Sequence, residues 1–260
     1  MGKFFFKPDE RTGETVSFTG QAAHHLLNVL RLRTGQEITL CDGQCMDYRA
    51  KLISITDKPT SITFVLLSHS PSNTETAIPV TLYQGLPKGD KMEWIIEKCI
   101  EVGVNKIAPV CTARSVIKIK DATKKAERFA RIANSAASQS MRGIVPEVLP
   151  PQSLPEALAE CNDLDLCLVA YENEFTHTIK SVLGRLSPQP VSLWIGPEGG
   201  FEDCEVQMLE EKGAIPISLG PRILRTETAG LVALSQILCI WDNEVQKEVA
   251  IKAGADIRVI

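Results

Sequence analysis

The sequence has no apolar stretch suited to crossing a membrane. Its N-terminal run Phe4-Phe5-Phe6 is three residues long, too short for a signal peptide or a span. The longest apolar stretch, around Leu231 to Trp241, is broken by Ser235 and Gln236. Gly2 is not followed by a myristoylation motif, because Phe6 stands where Ser or Thr is needed. There is no CxxC pair among the eight cysteines, and Cys41 and Cys45 have no second pair at zinc-finger spacing. Without an export signal, disulfides are not expected. Together these absences predict a cytoplasmic protein with reduced cysteines, no membrane contact and no metal. Neither a GxGxxG fingerprint nor a P-loop occurs, so neither a dinucleotide nor a nucleoside triphosphate is indicated. An overall positive charge is missing too: the net charge is −4, which by itself argues weakly against nucleic acid.

What is present qualifies that last point. Residues 86–146 hold twelve Lys/Arg against six Asp/Glu, residues 1–85 hold eight of each, and residues 147–260 hold eight basic against eighteen acidic. RNA contact needs only a local basic patch, although a solvated helix face gives the same count. The length of 260 residues, 44% of them apolar and 23% charged, suits a soluble chain of two domains.

Patterning divides the chain near residue 72. Before it, short β-like runs at Glu37–Leu40, Tyr48–Ile55 and Ser61–Leu67 are separated by turns at 41–44 and 57–60, with one helical segment near Gln21–Arg31. After the polar stretch 68–76, strands and helices alternate. Strands are predicted at Val80–Gln84, Lys106–Val110, Leu164–Ala170, Val191–Ile195 and Ile215–Leu219. Helices are predicted from Met92 to a Gly103 cap, over Asp121–Met141, after a Ser153/Glu156 capping box, up to Gly213, and from Thr226 to about Trp241. Such alternation means a parallel α/β sheet. Residues 246–260 form a tail of unassigned role.

Ligands of parallel sheets bind in loops beyond the carboxyl ends of the strands, and two such loops have unusual composition. Gly196-Pro197-Glu198-Gly199-Gly200 follows Val191–Ile195, and its glycines permit close backbone approach; a tight turn is the plainer account. Leu219-Gly220-Pro221-Arg222-Ile223-Leu224-Arg225-Thr226-Glu227-Thr228-Ala229 follows the last strand and opens the last helix. Thr226 reads as the N-cap and Glu227 suits the positive helix end. Arg222 and Arg225 do not, because cations are disfavoured there.

These two loops resemble the uracil-N3 methyltransferases of small-subunit ribosomal RNA, the RsmE family of the SPOUT superfamily. The resemblance extends through His25–Arg33, Lys88–Glu93 with Glu97-Lys98 and Glu101–Val104, Arg114-Ser115, Gln139–Arg142 and Val145–Glu147. The sequence departs from the family at Ser138, where Glu is usual, and at Gly143-Ile144, where Asn-Arg is usual. The resemblance implies a small PUA-like β-barrel RNA-binding domain over 1–72. An α/β SPOUT trefoil-knot methyltransferase domain would follow over 73–245. It also implies a homodimer acting on 16S ribosomal RNA in the small ribosomal subunit, with S-adenosylmethionine as cofactor.

By the same resemblance, Leu168, Ala170, Ile195, Gly196, Pro197, Gly199, Gly200, Leu219, Gly220, Ile223, Leu224, Thr228 and Ala229 would cradle the cofactor. Arg225, Glu198 and, less strongly, Glu172 would serve catalysis, Arg225 stabilising charge on the uracil carbonyls and a carboxylate taking the N3 proton. Arg31, Arg33, Lys88, Lys91, Arg114 and Arg142 would grip RNA. The alternatives are a ribose 2′-O-methyltransferase of the same fold and a non-catalytic RNA-binding assembly factor.

Overall fold

A computed structural model describes residues 2–57, 60–115, 122–242 and 245. The tail 246–260, the middle of the turn at 57–60 and the first residue of the helix predicted from Asp121 lie outside the described residues. The chain divides into two compact units, Met1–Glu75 with Ala137–Val145, and Thr76–Ala136 with Pro146–Ile260.

The first unit is built on a six-stranded sheet. Its strands are β1 (Phe4–Phe5), β2 (Arg11–Thr12), β3 (Thr15–Thr19), β4 (Glu37–Cys41), β5 (Met46–Asp57) and β6 (Thr60–Pro71), in the order β1-β4-β5-β6-β3-β2. The β1–β4 pair is parallel and the others antiparallel. Strand period two explains the burial: Val16 and Phe18 of β3 and Ile38 and Leu40 of β4 face a core with Leu52, Ile62 and Phe64. Helix α1 (Gly20–His24) runs into a wider π-type turn at His25–Val29, which adds Leu26 to that core. The resemblance implies a small PUA-like β-barrel, and this mixed sheet is its half-barrel form. The ladder found among the described residues is open, ending on β1 and β2, each only two residues long.

The second unit is a seven-stranded parallel sheet. Its strands are β7 (Val80–Gly85), β8 (Lys106–Cys111), β9 (Glu147–Val148), β10 (Gln152–Ser153), β11 (Leu166–Ala170), β12 (Val191–Ile195) and β13 (Ile215–Ile217). They run β10-β8-β7-β12-β11-β13, with β9 also on β8. The helices are α2 (Lys91–Val102), α3 (Ala122–Gln139), α4 (Leu154–Glu160), α5 (Ile179–Leu183), α6 (Asp203–Glu211) and α7 (Thr226–Ile237); the last residues of α3 count with the first unit. All five residues of β12 are buried, as expected of a parallel strand covered on both faces. Gly103 closes α2 at φ 126°, where a side chain would be strained. The Ser153/Glu156 capping box forms as predicted: Glu156 N–H donates to Ser153 Oγ, and the Ser153 N–H donates back to the Glu156 carboxylate. Since the strands are parallel, the loops after β7, β8, β11, β12 and β13 all emerge at one edge of the sheet.

Candidate functional site

Three of those loops meet around Gly196–Gly200. Gly85 ends β7 so close to the loop that a Cβ there would stand 2.6 Å from Pro197. At Gly196 a Cβ would meet the Gly200 backbone at 2.9 Å, so the loop folds tightly on itself. Gly200 has φ 69°, and a Cβ there would lie 2.6 Å from Glu172 Oε1. The Glu172 carboxylate of the β11 loop is thus seated against the glycine loop. It makes no hydrogen bond among the described residues. Gly199 is different. Its open side faces the Arg114 side chain at 3.1 Å, and Arg114 Nη1 donates to the Gly199 carbonyl at 2.6 Å.

The loop is tied to α7 from within. Thr226 Oγ1, buried, donates to the Gly196 carbonyl at 2.7 Å and accepts from Gln84 Nε2 at 2.9 Å. This corrects the expectation that Thr226 is the N-cap. Arg225 occupies that position, with extended backbone (φ −69°, ψ 152°) and no side-chain cap, since a guanidinium has no acceptor to offer. The Arg225 carbonyl accepts from the Thr228 and Ala229 N–H groups. Its side chain is exposed and pairs with no carboxylate among the described residues.

On the outer side, Glu198 accepts from the Lys88 N–H at 3.1 Å and from Lys91 Nζ at 2.9 Å. Partial burial pushes the Glu198 carboxyl upward, but hydrogen bonds from Lys91 and the loop backbone outweigh it and hold it below the usual carboxylate range. Lys91 also lies 3.3 Å from Glu227 Oε2. That separation makes an ion pair without hydrogen-bond alignment, since the same oxygen has no hydrogen bond among the described residues. The Lys91 ammonium is held above its ordinary value by Glu198, more than offsetting desolvation, with Glu227 adding to the effect.

The structure brings together Ile195, Gly196, Pro197, Gly199, Gly200, Thr228 and Ala229 near the start of α7, with Glu198, Glu172 and Arg225 around them. Leu219 and Leu224 are half-buried, and Gly220 (φ 113°) has open space where a Cβ would stand. Ile223 is 95% exposed, an apolar side chain without cover. Ala170 ends β11, at the same edge. Leu168 does not face this edge. It is fully buried mid-strand, paired with Leu193 on one side and Ile215 on the other, and supports the site from beneath.

The predicted RNA-facing cations separate by environment. Arg31 and Arg33 are exposed on either side of buried Leu32, Arg31 at φ 55°. Lys88 is exposed, whereas Lys91 and Arg114 are engaged with the glycine loop. Arg142 is a correction. Its side chain is 2% exposed and binds the Glu75 carboxylate through Nε and Nη2 at 2.9 and 2.6 Å, which leaves no free face for a phosphate. The family departures near it have structural work of their own. Ser138 bonds Lys3 through its carbonyl and hydroxyl, and a Cβ on Gly143 would meet Ser72 at 2.8 Å. Sequence reasoning missed Gln84 and Thr226 as the pins of the glycine loop; a glutamine inside an otherwise apolar strand was the available signal.

Residues 74–238 match a family model described as an RNA methyltransferase domain, and residues 18–65 match one described as an RNA methyltransferase PUA domain. The chain is 41% identical over 231 residues to the ribosomal RNA small subunit methyltransferase E of Bacillus subtilis (strain 168), covering 86% of this chain and 89% of that one. It is 36% identical to the protein of the same name from Synechocystis sp. (strain ATCC 27184 / PCC 6803 / Kazusa), covering 91% and 77%. A crystal structure of the Neisseria gonorrhoeae ribosomal RNA small subunit methyltransferase E bound to S-adenosyl methionine superposes with a TM-score of 0.83 at 33% identity, covering 93% and 98%. With one family model spanning most of its length and this identity to named members, the chain belongs to the ribosomal RNA small subunit methyltransferase E family.

Proposed function

We propose that this chain transfers a methyl group from S-adenosylmethionine to N3 of a uridine in the decoding region of 16S ribosomal RNA. The observation that carries the reading is the edge where the pinned glycine loop meets Arg225, an exposed guanidinium standing at the N-cap of α7 without an acidic partner among the described residues. A cation at the positive end of a helix is unfavourable unless a ligand compensates it.

The residues fit the cofactor. Open space at Gly220, the bare Ile223 side chain and the half-buried Leu219 and Leu224 offer apolar surface beside the glycine loop, which a small-molecule site needs. These residues, with Ala170, Gly196 and Gly200, would hold it. When bound, the cofactor supplies an electrophilic methyl on a sulfonium that leaves as a neutral thioether.

Uracil N3 carries a proton and is a poor nucleophile until that proton leaves. Arg225 would meet the negative charge that spreads onto the carbonyls, offering a planar fork of donors. Of the two acidic candidates, Glu198 is the poorer base: both oxygens are bonded and its carboxyl is held low. Glu172 has a carboxylate against Gly200 that makes no hydrogen bond among the described residues, and it is the acceptor we assign. Glu198 then acts as a brace. The exposed cations Arg31, Arg33 and Lys88 would meet phosphates. The reading also takes the second unit as a trefoil knot and the working enzyme as a cytoplasmic homodimer, as the family resemblance implies.

The test is nucleoside mass spectrometry of 16S ribosomal RNA from cells lacking the protein. N3-methyluridine should vanish and return on complementation. Loss of a 2′-O-methyl nucleoside instead identifies the ribose enzyme, and an unchanged profile identifies an assembly factor.

A further inference from the structure

The last link between β7 and the glycine loop is a directed chain of hydrogen bonds. Gln84 is fully buried at the end of β7. Its Nε2 lies 3.1 Å from the Gly85 carbonyl and 2.9 Å from Thr226 Oγ1. A carbonyl only accepts, so the amide nitrogen must face Gly85, which fixes the orientation of the whole amide. An amide nitrogen only donates, so Thr226 must accept from it, and the single hydroxyl proton is left to point at the Gly196 carbonyl, 2.7 Å away. Each bond thereby determines the next.

This order has a cost. Gln84 Oε1 is buried with no hydrogen-bond partner among the described residues, and an unsatisfied buried acceptor destabilises a fold. An apolar residue at position 84 would avoid that loss. A stable fold therefore does not require the amide, whereas the direction of the Thr226 hydroxyl does.

We propose that Gln84 and Thr226 are positioning residues that place Arg225. Thr226 is the first residue of α7 and Arg225 immediately precedes it. With the Thr226 hydroxyl locked onto Gly196, the cap residue has one place to stand relative to the glycine loop. The inference rests on the methyl-transfer reading above, and acts through Arg225 rather than on substrate.

The experiment is single-turnover methyl transfer to 30S subunits at saturating cofactor, with thermal melting, for Gln84→Leu, Thr226→Val, Thr226→Ser and each with Arg225→Ala. Thr226→Val is expected to slow transfer on the order of a hundredfold, the scale of a small misplacement of a reacting group. Thr226→Ser, which keeps the hydroxyl, should restore most of the rate. Gln84→Leu should lower the rate on the order of tenfold while melting no earlier than the parent, a combination that a purely structural role does not give. In the Arg225→Ala background, Thr226→Val should cost almost nothing more, because residues acting through one another are not additive. Additive losses, failure of Thr226→Ser to rescue, or a parent-like rate for Thr226→Val would each overturn the relay. Should Thr226→Val not fold, Gln84→Leu alone and in the Arg225→Ala background decides the matter. A parent protein that transfers no methyl group overturns the functional reading instead, which is a separate outcome.

Discussion

Alanine at each of three glycines of one loop should give three different answers, because each glycine is there for a different reason. At Gly200 the constraint is conformational: φ is 69°, and the displaced neighbour is an exposed carboxylate, Glu172, that can swing away. The cost is then that of a left-handed residue, about 1–2 kcal/mol, or a melting shift of about 2–8 °C for a unit of this size. At Gly196 the constraint is backbone against backbone. A Cβ would stand 2.9 to 3.1 Å from Gly200 C, Gly200 Cα and Phe201 N, none of which can rotate aside. The loop must open, at about 1–3 kcal/mol, and the Gly196 carbonyl would leave Thr226. At Gly199 the neighbour is the aliphatic part of Arg114 at 3.1 and 3.2 Å. That exposed side chain can yield, so stability should change by no more than about 0.5 kcal/mol. Calorimetry with S-adenosylmethionine should follow the same order, with Gly196→Ala losing most affinity and Gly199→Ala least. Should Gly199→Ala lose the most while melting normally, the ligand and not Arg114 occupies that side, and the reasoning fails.

Arg225→Ala should leave the melting temperature nearly unchanged and slow single-turnover methyl transfer about a hundredfold or more, with Arg225→Lys not restoring it; early melting would make the residue structural. Arg142→Ala strands the Glu75 carboxylate in a nearly buried pair and should cost about 3–5 kcal/mol, read by denaturant unfolding, whereas a loss of RNA affinity with unchanged stability would contradict the assignment of Arg142 as a strut. Glu174 gathers the Thr176 hydroxyl and the His177 and Thr176 N–H groups, which hold its carboxyl down at about 2 from an ordinary 4.5. Its contribution is therefore present above 4.5 and lost as the pH falls toward about 2, so Glu174→Gln should flatten the melting curve across that window, and an unchanged acid limb in the variant would refute the assignment.

The parts of this fold that could be read from the sequence are those set by local rules. Val191–Ile195 is apolar at every position and is found as a strand over those residues. Gly103 and Ser153-x-x-Glu156 mark helix ends because capping is a matter of neighbours. What escaped is set by residues far apart. Residues 137–145 group with the first unit because Ser138 meets Lys3, Gly143 meets Cys45 and Arg142 meets Glu75, and no local pattern announces a pairing across that distance. The same holds for Thr226, whose position in the chain suits a cap while its hydroxyl is bound to Gly196, thirty residues earlier. The two-residue strands β1, β2, β9 and β10 are too short to show a period.

The distribution of charge around α7 gives the site its chemical sense. Under the proposed function Glu227 and Glu198 would repel an anionic RNA or a developing uracil anion, and Lys91 lies against the two of them at 3.3 and 2.9 Å. One cation thus screens two carboxylates, and in doing so it is spent. Lys91 was expected to hold RNA, yet its ammonium is committed to the loop. Arg114 is bonded to the Gly199 carbonyl in the same way. Arg225 is left as the exposed guanidinium next to the glycine loop with no acidic neighbour among the described residues. A net charge of −4 does not conflict with this, because the field at a site depends on which nearby charges remain uncompensated and falls off within about 8 Å at physiological salt. The acidic excess after residue 147 is a property of the whole chain, whereas on the proposed reading the substrate would meet Arg225.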